Sequence, residues 1–223
     1  MAKQDRAIRT RQAILEAAAK VFEERGYQAA TITEILTTAG VTKGALYFHF
    51  QSKEHLAEGV LAGQDHQLVV PSRTCKVQEI VDMSALHAYR LQTSPMVRAG
   101  VRLSLDQQAN DLDRSGPFLR WSEVTVDFLE KAKQQGELLP HVVPSETADV
   151  LVGSFAGIQA MSQAISGYRD LGHRTANLMR HILPSVVLSS VLATVDFSSD
   201  RGAAVFAEVT QSLSEEDLAA IAS

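Results

Sequence analysis

The sequence has almost no cysteine and no long apolar run. Its 223 residues include one cysteine, Cys75. A lone cysteine has no partner for an internal disulfide and cannot build a cysteine-based zinc site, so a reducing compartment is expected. No apolar stretch reaches the roughly 18 residues that a membrane-spanning helix needs. The first residues, MAKQDRAIRTRQAI, lack the apolar segment of a secretory signal. We therefore expect a cytoplasmic protein with no membrane partner.

Motifs of common enzyme and metal sites are also missing. The sequence contains no GxSxG, HExxH, GxGxxG or GxxxxGK[ST] pattern. The nearest approach to a nucleophile motif, Gly153–Gly157, lies inside a predicted helix without an obvious histidine partner. His173 and His181 are better explained as solvated or capping side chains than as ligands. We expect no catalysis, no cofactor and no metal, although metal ligands drawn from different helices stay an alternative.

Charge is distributed unevenly along the chain. The formal net charge is −5, yet residues 1–53 contain eight lysines and arginines against five acids. The rest of the chain contains 13 basic and 21 acidic residues. A basic N-terminal segment followed by an acidic remainder is typical of a protein that binds a polyanion with one end only.

Helical periodicity dominates, and no alternating strand pattern interrupts it. Thr31 and Glu34 have the spacing of a capping box, and Gly26 and Gly40 are suited to end helices. Pro184 is expected to kink or end its helix. The predicted helices are Arg6–Arg25, Ile32–Ala39, Lys43–Phe50, Lys53–Gln67, Lys76–Thr93, Pro95–Gln108, Pro117–Gln135, Ser145–Arg169, His173–Thr194 and Ser199–Ser212. Residues 214–223 are expected to be a short acidic tail.

Two short helices around a glycine-containing turn, within residues 31–50, predict a helix-turn-helix. The second of these helices would enter the major groove of DNA, where Lys43 can donate to guanine and Gly44 permits close backbone approach. Tyr47 can reach a phosphate or a thymine methyl group. The candidate DNA contacts from spacing and chemistry are Thr31, Thr33, Lys43, Gly44, Tyr47, His49 and Lys53. By spacing alone, an ordinary three-helix cluster with the same surface residues is the alternative.

Two segments carry a resemblance to a known family. GVTKGALYFHFQSK, residues 40–53, resembles the recognition-helix segment of the TetR family of repressors, and TRQAILEAAAKVFEERGYQAATITEI, residues 10–35, resembles that family's first two helices. ATITEIL, VRAGVRLSLDQQ and PFLRW are similar to the γ-butyrolactone autoregulator receptors, a TetR subfamily that controls antibiotic production and differentiation. The resemblance implies an all-α fold with a DNA-binding domain at 1–52 and an effector-binding and dimerisation domain at 53–223.

The resemblance also implies roles for individual residues. Thr42, Lys43, Tyr47, His49 and Lys53 correspond to DNA-contacting positions, and helices at about 145–193 would form a four-helix dimer interface. In the receptor subfamily a tryptophan after Pro-Phe packs against the ligand, which places Trp121 in the effector pocket. The residue types alone also allow Trp121 to be a core anchor.

Further effector candidates are weaker. Val124 and Phe128 follow Trp121 at helical spacing. Gln64 is shared with the subfamily and suited to a polar ligand group, although a solvated glutamine is the alternative. The remaining candidates are Ser154 and Ile158, on an otherwise apolar helix where small residues also serve close helix packing.

The function predicted from these features is a homodimeric repressor. It would bind a pseudo-palindromic operator and release it when a small lipophilic lactone-like signal binds. A TetR-like sensor of a drug, fatty acyl group or antibiotic is one alternative, as is a receptor-like protein without a butyrolactone effector. A second alternative, from another class, is an enzyme or adaptor that keeps the helix-turn-helix only as scaffold.

Overall fold

The computed structural model describes residues 2–64, 69–107, 109 and 112–212. These residues form eleven α-helices and one 3-10 turn. The helices are α1 Ala2–Ala29, α2 Ile32–Ala39, α3 Lys43–His49, α4 Lys53–Gly63, α5 Lys76–Thr93, α6 Pro95–Leu105, α7 Ser115–Gln134, α8 Pro144–Ser166, α9 Leu171–Ile182, α10 Ser189–Leu192 and α11 Arg201–Ser212, with the 3-10 turn at Leu183–Ser185.

The all-α prediction is confirmed. Within the described ranges, extended pairing is limited to an isolated antiparallel bridge between Leu138 and Val187. None of the helices formed by these residues combines the length and apolar character needed to span a bilayer.

Local signals locate most helix ends correctly. α2 and α5 have the predicted bounds, and most of the other predicted helices differ from the observed ones by only a few residues at one or both ends. The expected effect of Pro184 on the helix predicted over His173–Thr194 is confirmed: α9 ends at Ile182, and Pro184 lies in a 3-10 turn before the short α10. This agrees with proline's missing amide donor and its clash with the preceding turn. The predicted tail at 214–223 and the predicted end of α4 at 65–67 lie outside the described residues.

The first compact unit contains α1–α4 and α6. Its core is built around Phe22, Ile35, Leu46 and Phe50, all fully buried. Gly26 interrupts α1 with φ 77° and ψ 170°, a conformation that a residue without Cβ adopts at no steric cost. This break lets the last residues of α1 turn toward α2.

α6 closes the first unit by packing on both α1 and α4. Arg98 Nε donates to Glu23 Oε1 at 2.5 Å, and Arg102 donates to the Glu23 backbone carbonyl. Gly26 allows the Arg102 guanidinium to approach, since an added Cβ would lie 3.1 Å from its Nη2. The end of α1 is therefore held by two arginines of α6.

The second unit contains α5, most of α7, and α8–α11. Its apolar core joins α5, α7, α8 and α9 through residues that include Ile80, Leu129 and Met179. Glu137 is buried and accepts hydrogen bonds from the backbone amides of Lys76 and Val77, each at 2.9 Å. These bonds satisfy two amides of the first turn of α5, which lack partners within the helix.

The two packing units do not follow the boundary predicted between residues 52 and 53. α4 and α6 both pack into the first unit, and the chain passes to the second unit after α4, returns at Ser94 and leaves again at the start of α7. Sequence order cannot reveal this, because α5 and α6 are separated only by Ser94 yet bury their apolar faces in different cores.

Candidate functional site

α3 presents a polar and aromatic surface on a well-anchored short helix. The Thr42 hydroxyl accepts a hydrogen bond from the Ala45 amide at 3.3 Å, a typical N-cap. Leu46 and Phe50 are fully buried and fix the helix to the core. Lys43 and Gly44 are exposed, and no atom lies within 4 Å of a Cβ added at Gly44. The backbone at the start of α3 can therefore approach another molecule closely.

Two aromatic side chains project from the same short helix. Tyr47 is 43% exposed, and the Lys43 Nζ lies 5.8 Å from its ring centroid. Phe48 is 79% exposed. This is unusual for a phenylalanine, because leaving its apolar surface in water forgoes the free energy of burying it. Tyr47 is among the DNA contacts predicted from the sequence, whereas Phe48 is not, although apolar side chains contact thymine methyl groups in the major groove. The sequence did contain a signal for Phe48. Leu46 and Phe50 are one helical turn apart and share the buried face, so Tyr47 and Phe48 between them are expected to point away from the core.

His49 lies at the edge of the α3 surface and is half-buried. Its ring meets the Phe48 ring edge-on, with centroids 4.9 Å apart. Burial and then the positive charge of Arg11 lower the pKa of His49 below its ordinary value. A neutral imidazole still carries one N–H donor, so His49 can donate to a phosphate without a net charge.

Lys53 is held against the turn between α1 and α2. Its Nζ donates to the Gln28 carbonyl at 3.2 Å and lies 4.7 Å from the centroid of the Tyr27 ring. Burial lowers the pKa of this ammonium, opposed by the nearby Glu54 carboxylate. Two of its three donors stay available for a phosphate, so the predicted contact is compatible with this position.

Thr31 and Thr33 occupy different surroundings at the start of α2. Thr31 forms the predicted capping box: its hydroxyl accepts from the Glu34 amide, and the Glu34 carboxylate accepts from the Thr31 amide. The Thr31 hydroxyl also donates to the Glu34 carboxylate at 2.9 Å, and this bond, followed by the one from the Thr31 amide, lowers the pKa of Glu34. Thr33 lines a shallow cavity of about 250 Å³ together with Glu24 and Glu34. Both threonines thus have a carboxylate nearby, which opposes binding of a phosphate; their predicted contacts remain hypotheses.

The second unit brings Trp121 into a cluster of three rings. The Trp121 and His87 ring centroids are 4.5 Å apart, and those of His87 and Phe155 are 5.4 Å apart. His87 is buried, whereas Trp121 and Phe155 are each half-buried. Trp121 is therefore neither a fully enclosed core anchor nor a surface residue, and it covers a buried histidine.

The other residues predicted on α7 are not in this cluster. Val124 is 38% exposed, and Phe128 packs against the main apolar core of the second unit. On α8, Ser154 and Ile158 are half-buried beside the face that carries Phe155 and Gln159. The structure thus groups the rings of Trp121, His87 and Phe155. The predicted effector contacts of Val124, Phe128, Ser154 and Ile158 remain hypotheses.

Gln64 is buried within the first unit, contrary to the solvated alternative. It is 2% exposed and packs against Gly100 of α6, where an added Cβ would lie 2.7 Å from the Gln64 Cβ. Its Nε2 has no hydrogen-bond partner among the described residues. Its predicted contact with an effector remains a hypothesis.

Sequence reasoning missed His87 and Phe155. His87 belongs to the buried face of α5, three to four residues from Ser84 and Leu91. A histidine on an otherwise apolar helical face was the available signal, but no motif marked it. Its partners Trp121 and Phe155 lie 34 and 68 residues further along the chain, on α7 and α8. Periodicity within one helix cannot reveal such contacts.

The comparison with protein families identifies the N-terminal region. Residues 14–60 match the model of bacterial regulatory proteins of the tetR family. The chain is 41% identical over 195 residues to the A-factor receptor protein of Streptomyces griseus, covering 87% of this chain and 70% of the receptor.

Solved structures agree over nearly the whole chain. A full-length native TylP, a TetR regulator from Streptomyces fradiae, matches with a TM-score of 0.84 and 42% identity, covering 92% of this chain and 99% of TylP. A γ-butyrolactone receptor described as ArpA-like matches with a TM-score of 0.66 and 27% identity, covering 93% of this chain and 99% of the receptor. The similarity therefore extends through both packing units.

Proposed function

Because the chain belongs to the TetR family of bacterial regulatory proteins, we propose that it is a transcriptional repressor whose operator binding is relieved by a small organic effector. The observation that carries this proposal is the surface of α3, where Lys43, Gly44, Tyr47 and Phe48 are exposed on a helix anchored by Leu46 and Phe50. A helix of this kind enters the major groove and places its first residues at base edges.

We infer a homodimer from an unpartnered apolar stripe on α8. Val150, Met161 and Ile165 are 55%, 51% and 65% exposed and lie on one side of the helix. Gly153 and Gly157 lie between them on the same side, with open space around each. Aliphatic side chains this exposed are best explained by a second copy of the chain. Two copies related by a twofold axis would bind a pseudo-palindrome with half-sites about one helical turn apart.

For the effector, we propose an amphipathic small molecule of the γ-butyrolactone type. The similarity to the A-factor receptor and to the γ-butyrolactone receptor supports this class, and the half-buried Trp121 beside His87 offers an aromatic surface for the apolar part. By the same similarity, we propose target genes of antibiotic production and differentiation. Release of DNA requires that the effector bind the DNA-incompetent conformation more tightly than the competent one.

The proposed operator binding by α3 is tested with one substitution in this helix and a matched control substitution elsewhere. Operator DNA is first selected from a random library, and its binding is then measured by fluorescence anisotropy at fixed salt. Lys43→Ala should weaken specific binding by about 1–3 kcal/mol. Lys131→Ala, an exposed lysine of α7, should bind like the wild type because it lies in the other unit. Equal binding by all three proteins would contradict the assignment of α3 as the recognition helix.

The effector half is tested by Trp121→Ala in the same assay. This variant should bind the operator and fail to be released by a synthetic alkyl γ-butyrolactone that releases the wild type. Release of Trp121→Ala at the wild-type concentration of the lactone would show that the effector binds elsewhere.

A further inference from the structure

A buried histidine lies beneath two half-buried aromatic residues of the second unit, Trp121 and Phe155. His87, on α5, is 4% exposed, and its ring is within 4.5 Å of the Trp121 centroid and 5.4 Å of the Phe155 centroid. Trp121 and Phe155 are partly open to solvent. The cluster therefore has an outer aromatic part and an inner polar group.

Three buried polar atoms on α5, α8 and α9 have no hydrogen-bond partner among the residues that the structure describes. They are Nδ1 of His87, Oε1 of Gln159 and Oγ1 of Thr175. Gln159 follows Phe155 by one turn of α8, and Thr175 lies on α9, which packs on both α5 and α8. Leaving a buried polar atom unsatisfied is costly, and such atoms are rare in native proteins. These three atoms lie on α5, α8 and α9, and α9 contacts both of the other helices. They are donors and acceptors that a bound ligand could satisfy.

The chemistry of His87 restricts what that ligand can be. Burial and then the positive charge of Arg90 lower its pKa to about 3, so the imidazole is neutral at physiological pH. A neutral imidazole can donate or accept at Nδ1, depending on its tautomer. The imidazole itself carries no charge that could neutralise an anion, so the partner that suits it is an oxygen of an uncharged group.

We propose that His87 forms the inner, polar end of the effector site and that the effector is an uncharged molecule whose oxygen hydrogen-bonds to Nδ1 of His87 while its apolar part packs on Trp121 and Phe155. This inference rests on the proposed function, in that the second unit binds an effector. The inference adds His87 as a residue that determines effector specificity. His87 would favour lactones and related uncharged oxygen compounds over carboxylic acids.

The test is a double-mutant cycle between the protein and the probe. The probes are an alkyl γ-butyrolactone, the tetrahydrofuran analogue that lacks its carbonyl, and the ring-opened hydroxy acid. Binding is measured directly from the emission of Trp121, the single tryptophan. The variants are His87→Leu, which removes the polar group, and His87→Asn, whose amide keeps a hydrogen-bonding atom near the position of Nδ1.

We expect His87→Leu to weaken lactone binding about tenfold, equivalent to about 1.4 kcal/mol, and His87→Asn to stay within about threefold of the wild type. Loss of the carbonyl should weaken binding to the wild type by a similar factor but leave binding to His87→Leu unchanged. A purely structural role for His87 would not produce this coupling. Operator affinity without probe should be the same in all three proteins, which also checks that the variants are folded.

Several results would overturn the inference. These are equal lactone affinity in the wild type and His87→Leu, additive effects in the cycle, tighter binding of the hydroxy acid than of the lactone, and failure of every uncharged probe to bind the wild type. If lactone binding depends on His87 but operator DNA is not released, the inference stands and the proposed effector-controlled function fails.

Discussion

At the scale of single residues, buried polar side chains set this protein apart from an ordinary helical core. Asp82 is fully buried but paired with Arg73 at 2.9 Å and Arg201 at 2.7 Å. His87, one and a half turns further along α5, is also buried, and the rings of Trp121 and Phe155 and the charge of Arg90 lie beside it. The two arginines compensate the buried charge of Asp82, whereas the surroundings of His87 keep its imidazole neutral.

The neutral state of His87 predicts a specific loss of stability in acid. Its pKa is about 3 in the folded protein, against an ordinary value of 6.5. Below about pH 6.5 the unfolded chain therefore binds a proton that the folded chain does not. Stability is complete above that pH and decreases as the pH falls toward 3. Between about pH 7.5 and pH 5, the free energy of unfolding should fall by about 2 kcal/mol more in the wild type than in His87→Phe.

Urea unfolding followed by Trp121 emission measures this difference. His181→Phe is the matched control, because His181 is exposed and its removal should leave the wild-type pH dependence unchanged. Parallel curves for the wild type and His87→Phe would show that His87 is protonated in the folded state.

At the scale of elements, α11 is attached to α5 by contacts on successive turns. Arg201 forms two hydrogen bonds with Asp82, and the rings of Phe206 and Tyr89 lie 5.2 Å apart. Between them, Gly202 faces the α5 backbone, where an added Cβ would lie 2.2 Å from the Ala85 carbonyl oxygen. The helices approach so closely because this position has no side chain.

Gly202→Ala should therefore destabilise the protein, although alanine favours a helix by about 1 kcal/mol over glycine. The clash is with backbone atoms that cannot rotate away, so α11 must shift and lose part of its contacts. We expect the free energy of unfolding to fall by about 1–3 kcal/mol. Ala204→Ser, exposed on the same helix, should change it by less than about 0.5 kcal/mol. A more stable Gly202→Ala protein in urea unfolding would contradict this close packing.

At the scale of the whole molecule, the exposed face of α8 determines the expected assembly. The sequence predicts that one apolar stripe of the helices at about 145–193 faces its own domain and that the surplus apolar residues meet a partner subunit. Leu151, Val186 and Val187 are buried within their own chain, whereas Val150, Met161 and Ile165 are exposed. The proposed interface is thereby narrowed to one stripe of α8.

A charge placed in this stripe should prevent dimerisation. Sedimentation velocity at micromolar concentration should show a wild-type dimer of the 24.2 kDa chain and a monomer for Ile165→Asp, because an aspartate desolvated in an apolar interface is strongly unfavourable. Val69→Asp, which changes a residue that is 70% exposed outside α8, should remain dimeric. A monomeric wild type would remove the model of two half-sites, and a dimeric Ile165→Asp would place the interface elsewhere.

The sequence by itself determined the features that depend on neighbouring residues. The capping box of Thr31 and Glu34, the break at Gly26, the end of α9 before Pro184 and the bounds of α5 all follow from interactions within a few residues. The exposed residues of α3 were equally predictable, since a short helix anchored by two apolar side chains must direct the remaining ones outward.

Only the tertiary structure decided which distant residues meet. It placed His87 under Trp121, 34 residues later in the chain, and it directed the Lys53 ammonium to the Gln28 carbonyl. It also assigned α6 to the first core and its sequence neighbour α5 to the second. Helical periodicity determines which side chains share a face of one helix. Which face another helix covers depends on the burial of apolar area across the whole chain.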